Sequence, residues 1–165
     1  MQRRTLITAA GALLLTGLTG CGFQLRGQLD VPEHLRQLSL VQHARNHRLT
    51  ASLVETLRLN QLEVSTTAPY RLELLKVDER RRTVTLDRAA RVDEYELTLT
   101  VDYQVTDHKE QLVLKPQTLS TERVYTYDAN AATAAAEQET LLKQEMADDL
   151  ARQLVRRYLK IKPAE

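Results

Sequence analysis

The residues best suited to chemistry are five arginines within a short stretch of the chain: Arg80, Arg81, Arg82, Arg88 and Arg91. A planar guanidinium group binds phosphate or carboxylate bidentately, and adjacent strands could bring several such groups together. The arginines flank a short alternating apolar segment at Val84 and Leu86. Two interpretations follow: an anion-binding site, or an exposed hairpin whose charges protect an edge strand from pairing with other chains.

The histidines and acidic residues offer weaker chemistry. His43 and His47 have the i, i+4 spacing of helical metal ligands, but no glutamate or third ligand accompanies them, so we expect a solvated loop before a helix. Adjacent acids such as Asp93 and Glu94 point apart along a strand. The sequence contains no nucleophile elbow and no glycine-rich phosphate loop. We therefore predict no catalytic residue, no metal and no cofactor, and a protein that is not an enzyme.

The single cysteine, Cys21, lies at the end of an apolar segment. That segment covers residues 6–18, follows Arg3 and Arg4, and is shorter than the roughly 20 residues that span a bilayer. This arrangement is typical of a secretory signal peptide. Leu18-Thr19-Gly20-Cys21 resembles the lipobox of bacterial lipoproteins, which implies cleavage before the cysteine and acylation of its thiol.

These features predict a signal peptide at residues 1–20 and a single lipid-anchored, periplasmic domain at residues 21–165. Several acyl chains on Cys21 would anchor the domain stably. In bacterial lipoproteins, Asp after the cysteine usually causes retention in the inner membrane. Gly22 stands in that place, so the outer membrane is the expected location.

The charge of the mature chain restricts its partners. Removing Arg3 and Arg4 changes the formal net charge from +1 to −1, so no overall positive charge supports nucleic-acid binding. Any anion site must then be a local cluster. Once Cys21 is acylated, no thiol remains for a disulfide, and stability must come from packing.

Apolar periodicity predicts the elements that would position these residues. We expect a short strand at Phe23 and Leu25, a second over residues 35–41, and an amphipathic helix over residues 46–60. An extended segment at Leu62 and Val64 follows. Later strands are expected around residues 70–74, 84–86, 95–105, 112–114 and 121–127, and a long helix over residues 131–159.

The strand at residues 95–105 alternates strictly, with Tyr95, Leu97 and Leu99 on one face and Glu96, Thr98 and Thr100 on the other. One face of its sheet is therefore buried and the other polar. The predicted fold class is α+β: a two-layer sandwich of a mainly antiparallel meander sheet with two amphipathic helices on one face. Pro116 is expected at a sheet edge or a bulge.

Residue clusters along the whole mature chain resemble the LptE family of lipopolysaccharide-assembly lipoproteins. The matching segments are Gly20-Cys21-Gly22-Phe23-Gln24-Leu25-Arg26, Val31-Pro32, Leu57-Arg58-Leu59-Asn60, Glu94-Tyr95, Lys143-Gln144-Glu145-Met146 and Gln153-Leu154-Val155-Arg156-Arg157. Their order and spacing, rather than any one of them, carry the resemblance.

The resemblance implies a protein of the outer membrane that plugs the lumen of the LptD β-barrel, assists its assembly and contacts lipopolysaccharide. It places a basic lipopolysaccharide contact at Arg88, in the turn before Glu94 and Tyr95. A second basic contact from the long helix is not expected, because residues 131–136 contain no Lys or Arg. The alternative is a periplasm-facing binding or scaffold lipoprotein with no barrel partner.

Overall fold

The computed structural model describes residues 30–43 and 47–162, and the side chain of His47 is not among the described parts. The predictions of a signal peptide, of lipidation at Cys21 and of a strand at Phe23 fall on residues outside these ranges.

The described chain forms a five-stranded sheet and two α-helices. The strands are β1 (Gln37–Gln42), β2 (Glu63–Val64), β3 (Tyr70–Leu86), β4 (Val92–Asp107) and β5 (Leu112–Thr126), and the helices are α1 (His47–Leu59) and α2 (Ala132–Tyr158). The strand order is β2-β1-β3-β4-β5. Strands β3, β4 and β5 form the predicted antiparallel meander, while β1 pairs in parallel with both β2 and β3. The α+β prediction is confirmed.

Both helices pack on the same face of the sheet, here called the covered face. Its core contains alternate residues of the long strands, including Leu72 in β3 and Leu97, Val101 and Tyr103 in β4. Leu53 and Leu57 of α1 and Leu150 and Leu154 of α2 are buried against them. Val54 has the spacing of the apolar stripe of α1 but is 46% exposed, so the buried stripe of this helix consists of Leu49, Leu53 and Leu57.

Three strand predictions need correction. The segments at residues 112–114 and 121–127 are not separate strands, because they are joined in the single strand β5 (Leu112–Thr126). Val84 and Leu86 do not form a separate strand, because β3 continues through them with register shifts near Leu74 and Thr83. Leu35 belongs to a 3-10 turn, Glu33–Leu35, and β1 begins only at Gln37. Pro116 lies in β5, the edge strand, as predicted, where the pairing with β4 shifts register between Tyr103 and Val105.

The sheet is long in the strand direction, about 55 Å for the 17 residues of β3. We call the end with the β3–β4 turn, residues 87–91, the tip, and the end with Gln37, Tyr70 and Tyr158 the base. The pairing of β1 with β3 covers only Tyr70–Leu74 of β3. Among the described residues, β3 therefore has a free edge from Lys76 to the tip. Neither described helix is long and apolar enough to cross a membrane.

Candidate functional site

Asp87 organises the turn at the tip. Its Oδ1 accepts hydrogen bonds from the backbone N–H groups of Ala89 (2.8 Å) and Arg91 (2.9 Å), and its own N–H donates to the Arg91 carbonyl (2.7 Å). These bonds hold Ala90 at a φ of 59°. Hydrogen bonding from the Arg91 backbone lowers the pKa of the Asp87 carboxyl below its ordinary value, so the group stays ionised.

Two of the predicted site residues, Arg88 and Arg91, lie in this turn and differ in whether their side chains have partners. The Nε of Arg91 donates to Oδ2 of Asp87 at 2.8 Å, so Arg91 is used within the turn. Arg88 is exposed, and it forms no ion pair or side-chain hydrogen bond with any residue that the structure describes. A guanidinium without a partner keeps its donors available for an external anion.

Arg80 and Arg82 point to the face of the sheet opposite the helices, here called the open face. Arg82 binds both carboxylate oxygens of Glu96, at 2.6 and 2.9 Å, and this hydrogen bonding lowers the pKa of Glu96. The Nε of Arg80 lies 2.5 Å from Asp78. Both guanidinium groups therefore already have carboxylate partners.

Arg81 lies on the covered face. Its guanidinium group donates to Glu139 of α2 at 2.9 Å and stacks over the ring of Tyr95, 4.5 Å from the centroid. The five predicted arginines therefore do not converge. The structure places Arg81 under the helix, Arg80 and Arg82 on the open face, and Arg88 and Arg91 at the tip.

A shallow groove of about 780 Å³ runs along the open face between Arg80 and Thr100. Three cationic and four acidic side chains line it: Lys76, Arg80, Arg82, Asp78, Glu96, Asp102 and Glu122. Arg81 also borders the groove, but its guanidinium group lies on the covered face against Glu139. Hydroxyl pairs continue the polar surface, as between Thr100 and Ser120 at 3.1 Å. The groove is nearly balanced in charge, with a slight acidic excess, which favours a polar partner over a polyanion.

The match to a family decides what kind of protein carries this geometry. The model of the LptE family, described as lipopolysaccharide-assembly, matches residues 35–158, a range that contains the whole described sheet and both helices. The chain belongs to the LptE family.

Individual relatives agree with this assignment. The chain is similar to the LPS-assembly lipoprotein LptE of Pectobacterium atrosepticum, with 31% identity over 164 residues, 97% of this chain and 88% of the relative. It is 32% identical to the LptE of Yersinia enterocolitica over 171 residues, 100% of this chain and 80% of the relative. A crystal structure of a minor lipoprotein from Acinetobacter baumannii has a TM-score of 0.67 and 28% identity, covering 79% of this chain and 97% of that one.

Membership in the LptE family confirms the resemblance inferred from the residues. It also confirms that the chain is not an enzyme, since LptE proteins are non-enzymatic lipoproteins. Among residues 30–43 and 47–162, no group of three potential ligands could hold a metal ion. His43 is exposed and lies 3.8 Å from Glu73.

Sequence reasoning missed the residues that connect β3 and β5 of this LptE-family fold to its long helix. Glu139 of α2 accepts hydrogen bonds from Arg81 (2.9 Å) and the hydroxyl of Tyr125 (2.6 Å), and Lys143 lies 2.9 Å from both Glu139 and Glu79. The i, i+4 spacing of Glu139 and Lys143 was the one feature of the local sequence that indicated this network. Their strand partners depend on long-range register, which periodicity does not reveal.

Burial and hydrogen bonding together shift the pKa values in this Glu139 network. Burial alone would raise the pKa of Glu139, but hydrogen bonds from Tyr125, Lys143 and Arg81 outweigh it and lower the pKa to about 2. Burial and the bond to the Glu139 carboxylate raise the pKa of Tyr125 to about 12. At neutral pH the network therefore contains an ionised Glu139 and a neutral Tyr125.

Proposed function

We propose that this chain is a lipopolysaccharide-assembly lipoprotein, anchored in the outer membrane through acylated Cys21 and facing the periplasm. In this proposal it is seated in the lumen of an LptD-like β-barrel, which it plugs and helps to assemble, and it binds lipopolysaccharide during transport. The observation that carries the proposal is the family match, which covers residues 35–158. Within that range the structure describes every residue except 44–46.

The two faces of the sheet support the barrel partner. The covered face is filled by α1 and α2, whereas the open face carries paired charges and hydroxyls, and no described element packs on it. A barrel lumen is lined by polar residues and water, so a plug needs a polar surface of this kind.

The tip supports the lipopolysaccharide contact. Lipid A phosphates are dense anions, and charge-assisted hydrogen bonds to such groups contribute about 1.5 to 3 kcal/mol each. Of the five arginines predicted to bind lipopolysaccharide, Arg88 is the one whose side chain has no partner within the described chain. We therefore assign the primary contact to Arg88, with Arg91, Arg82, Arg81 and Arg80 as weaker candidates because each is already paired.

Detergent extraction and affinity purification of the full-length protein from native membranes, followed by mass spectrometry, tests the proposal. We expect one large β-barrel protein to copurify in stoichiometric amount, and the mature amino terminus to be an acylated Cys21. The alternative of a scaffold lipoprotein is supported if the cysteine is acylated but no barrel copurifies. Retention of residues 1–20 would overturn the lipidation itself.

A further inference from the structure

A second cleft lies at the base of the molecule, remote from the tip. It is formed where the first part of β5 meets the end of α2, and its volume is about 400 Å³. Val113, Leu114 and Ile161 provide its apolar floor, and Arg157, Lys160 and Lys162 surround that floor. Nothing in the proposed barrel or lipopolysaccharide contacts uses this cleft.

The charge of this basal cleft differs from that of the groove on the open face. Among the described residues, three cationic side chains line it and no acidic one does, whereas acidic side chains line the groove beside the cationic ones. Arg157, Lys160 and Lys162 are exposed, and none forms an ion pair within residues 30–43 and 47–162. Uncompensated positive charge around a concave surface attracts an anion.

The floor indicates that the anion also has an apolar part. Ile161 is only 9% exposed and packs on the core, while Val113 and Leu114 are half-buried at the cleft surface. An inorganic ion would leave these side chains in water. A ligand that places alkyl groups on the floor and a phosphate among the cations would satisfy both parts.

The position of the cleft identifies the source of such a ligand. The hydroxyl of Tyr158 donates to the Gln37 carbonyl at 3.2 Å, so the end of α2 lies beside the start of β1. The ring of His34 lies against the ring of Tyr70 at the base, with 6.3 Å between their centroids, and the described chain begins four residues before His34, at Asp30. Asp30 follows Cys21 by nine residues, a connection that can span at most about 30 Å. A lipid on Cys21 would therefore keep the base near the membrane surface.

We propose that the basal cleft binds the headgroup of an anionic phospholipid in the membrane that holds the lipid anchor. The inference rests on the proposed acylation of Cys21 for its geometry, but the contact itself involves only Arg157, Lys160, Lys162 and the apolar floor. Binding there orients the domain, with its base against the lipid and its tip about 55 Å away along β3.

Vesicle binding by the mature full-length chain, residues 21–165 with Cys21→Ser, tests the cleft without the anchor. Vesicles of phosphatidylcholine with 30 mol% phosphatidylglycerol are compared with phosphatidylcholine alone by flotation. We expect at least ten-fold stronger binding to the anionic vesicles. Each basic residue near an anionic surface strengthens binding about five-fold, so Lys160→Gln/Lys162→Gln should weaken it roughly 25-fold.

The matched control is Lys109→Gln/Lys115→Gln, which removes the same charge from the same end of the molecule outside the cleft lining. We expect it to weaken binding less than three-fold. Equal losses for the two pairs would overturn the cleft in favour of general attraction, and so would equal binding to both vesicle types. Displacement by 10 mM inorganic phosphate would identify a free-anion site instead. Circular dichroism checks that each variant is folded.

Acylation of Cys21 is read separately from the mass of the native amino terminus. An unmodified Cys21 with intact cleft binding would refute the proposed anchor while leaving the phospholipid site in place. An acylated Cys21 with no cleft binding would refute only the site.

Discussion

At the scale of single residues, the five arginines carry the same charge but differ in whether a carboxylate already occupies the guanidinium group. Two nitrogens of Arg82 contact the Glu96 carboxylate, and two nitrogens of Arg91 contact the Asp87 carboxylate. A ligand phosphate would have to displace these carboxylates. Arg88 has no such competitor within the described chain. The cost of breaking an existing pair therefore favours Arg88 as the first contact for an anion.

The first prediction is that Arg88→Glu weakens lipopolysaccharide binding at least ten-fold in vitro at low salt, because it replaces a cation–phosphate contact by repulsion. The thermal midpoint and barrel association should be nearly unchanged, since Arg88 is exposed and forms no ion pair or side-chain hydrogen bond with a described residue. Arg48→Glu, at an exposed position on α1, is the control and should retain wild-type affinity. Undiminished binding by Arg88→Glu would show that the tip is a solvated hairpin.

The second prediction concerns the pH dependence of Glu139. Its pKa is lowered from 4.5 to about 2 in the folded chain, so its contribution to stability is complete above about pH 4.5 and is lost as the pH falls towards 2. Glu139→Gln should cost about 1 to 3 kcal/mol at pH 7, because Tyr125, Arg81 and Lys143 lose a charged partner.

Urea unfolding at pH 7 and pH 3 measures this effect. Wild type should lose more stability than Glu139→Gln between the two pH values, because the variant lacks the titrating group. Glu137→Gln, an exposed neighbour with no ion pair in the described chain, should behave like wild type. An identical loss in wild type and Glu139→Gln would mean that the network contributes nothing to acid stability.

At the scale of elements, α2 holds the sheet through one face. Leu150 is fully buried, whereas its neighbour Asp149 lies towards β5 and pairs with Arg123 and Arg152. The third prediction is that Leu150→Asp destabilises the fold by several kcal/mol, because an unpaired carboxylate is buried. Asp149→Leu should cost about 1 kcal/mol. Chemical unfolding of both variants gives the comparison, and equal midpoints would mean that α2 is oriented differently.

Periodicity predicted the elements whose apolar spacing is long and regular. The strand at Tyr95 and Leu97, the helix containing Leu150 and the edge position of Pro116 all follow from local sequence. The parallel pairing of β1 with β3 could not be predicted in this way, because strand order depends on contacts distant in sequence. The bulge near Thr83 likewise hid the continuity of β3 from the alternation rule.

The candidate site could likewise be predicted only where local sequence determines it. The arginine cluster was visible from composition, but its division between two faces follows from strand alternation and from partners contributed by other elements. Glu96 lies opposite Arg82 only through the β3–β4 register, and Glu139 reaches Arg81 only through the packing of α2. The basal cleft depends on β5 meeting the end of α2, which no sequence pattern indicated.

At the scale of the whole molecule, the sheet divides the surface into unlike halves. Helices and core fill one side, and the other presents a groove of nearly balanced charge with exposed hydroxyls. Charge balance suits a neutral polar wall, since neither repulsion nor a large desolvation of unpaired charge opposes the contact. The free edge of β3 beyond Lys76 carries three consecutive arginines, which discourage strand addition by another chain.

The last prediction is that the open face is the surface in contact with the barrel wall. Photo-crosslinking amino acids at Thr98 and Thr100 should capture the barrel in cells, because both residues lie on the groove in the middle of the sheet. Gln104, on the same face, is a weaker choice, since its side chain donates to the buried Glu73 at 2.8 Å. The control position is Gln28, in the segment that follows the proposed anchor. Capture at Gln28 but not at Thr98 or Thr100 would indicate a protein tethered beside the barrel rather than seated in its lumen.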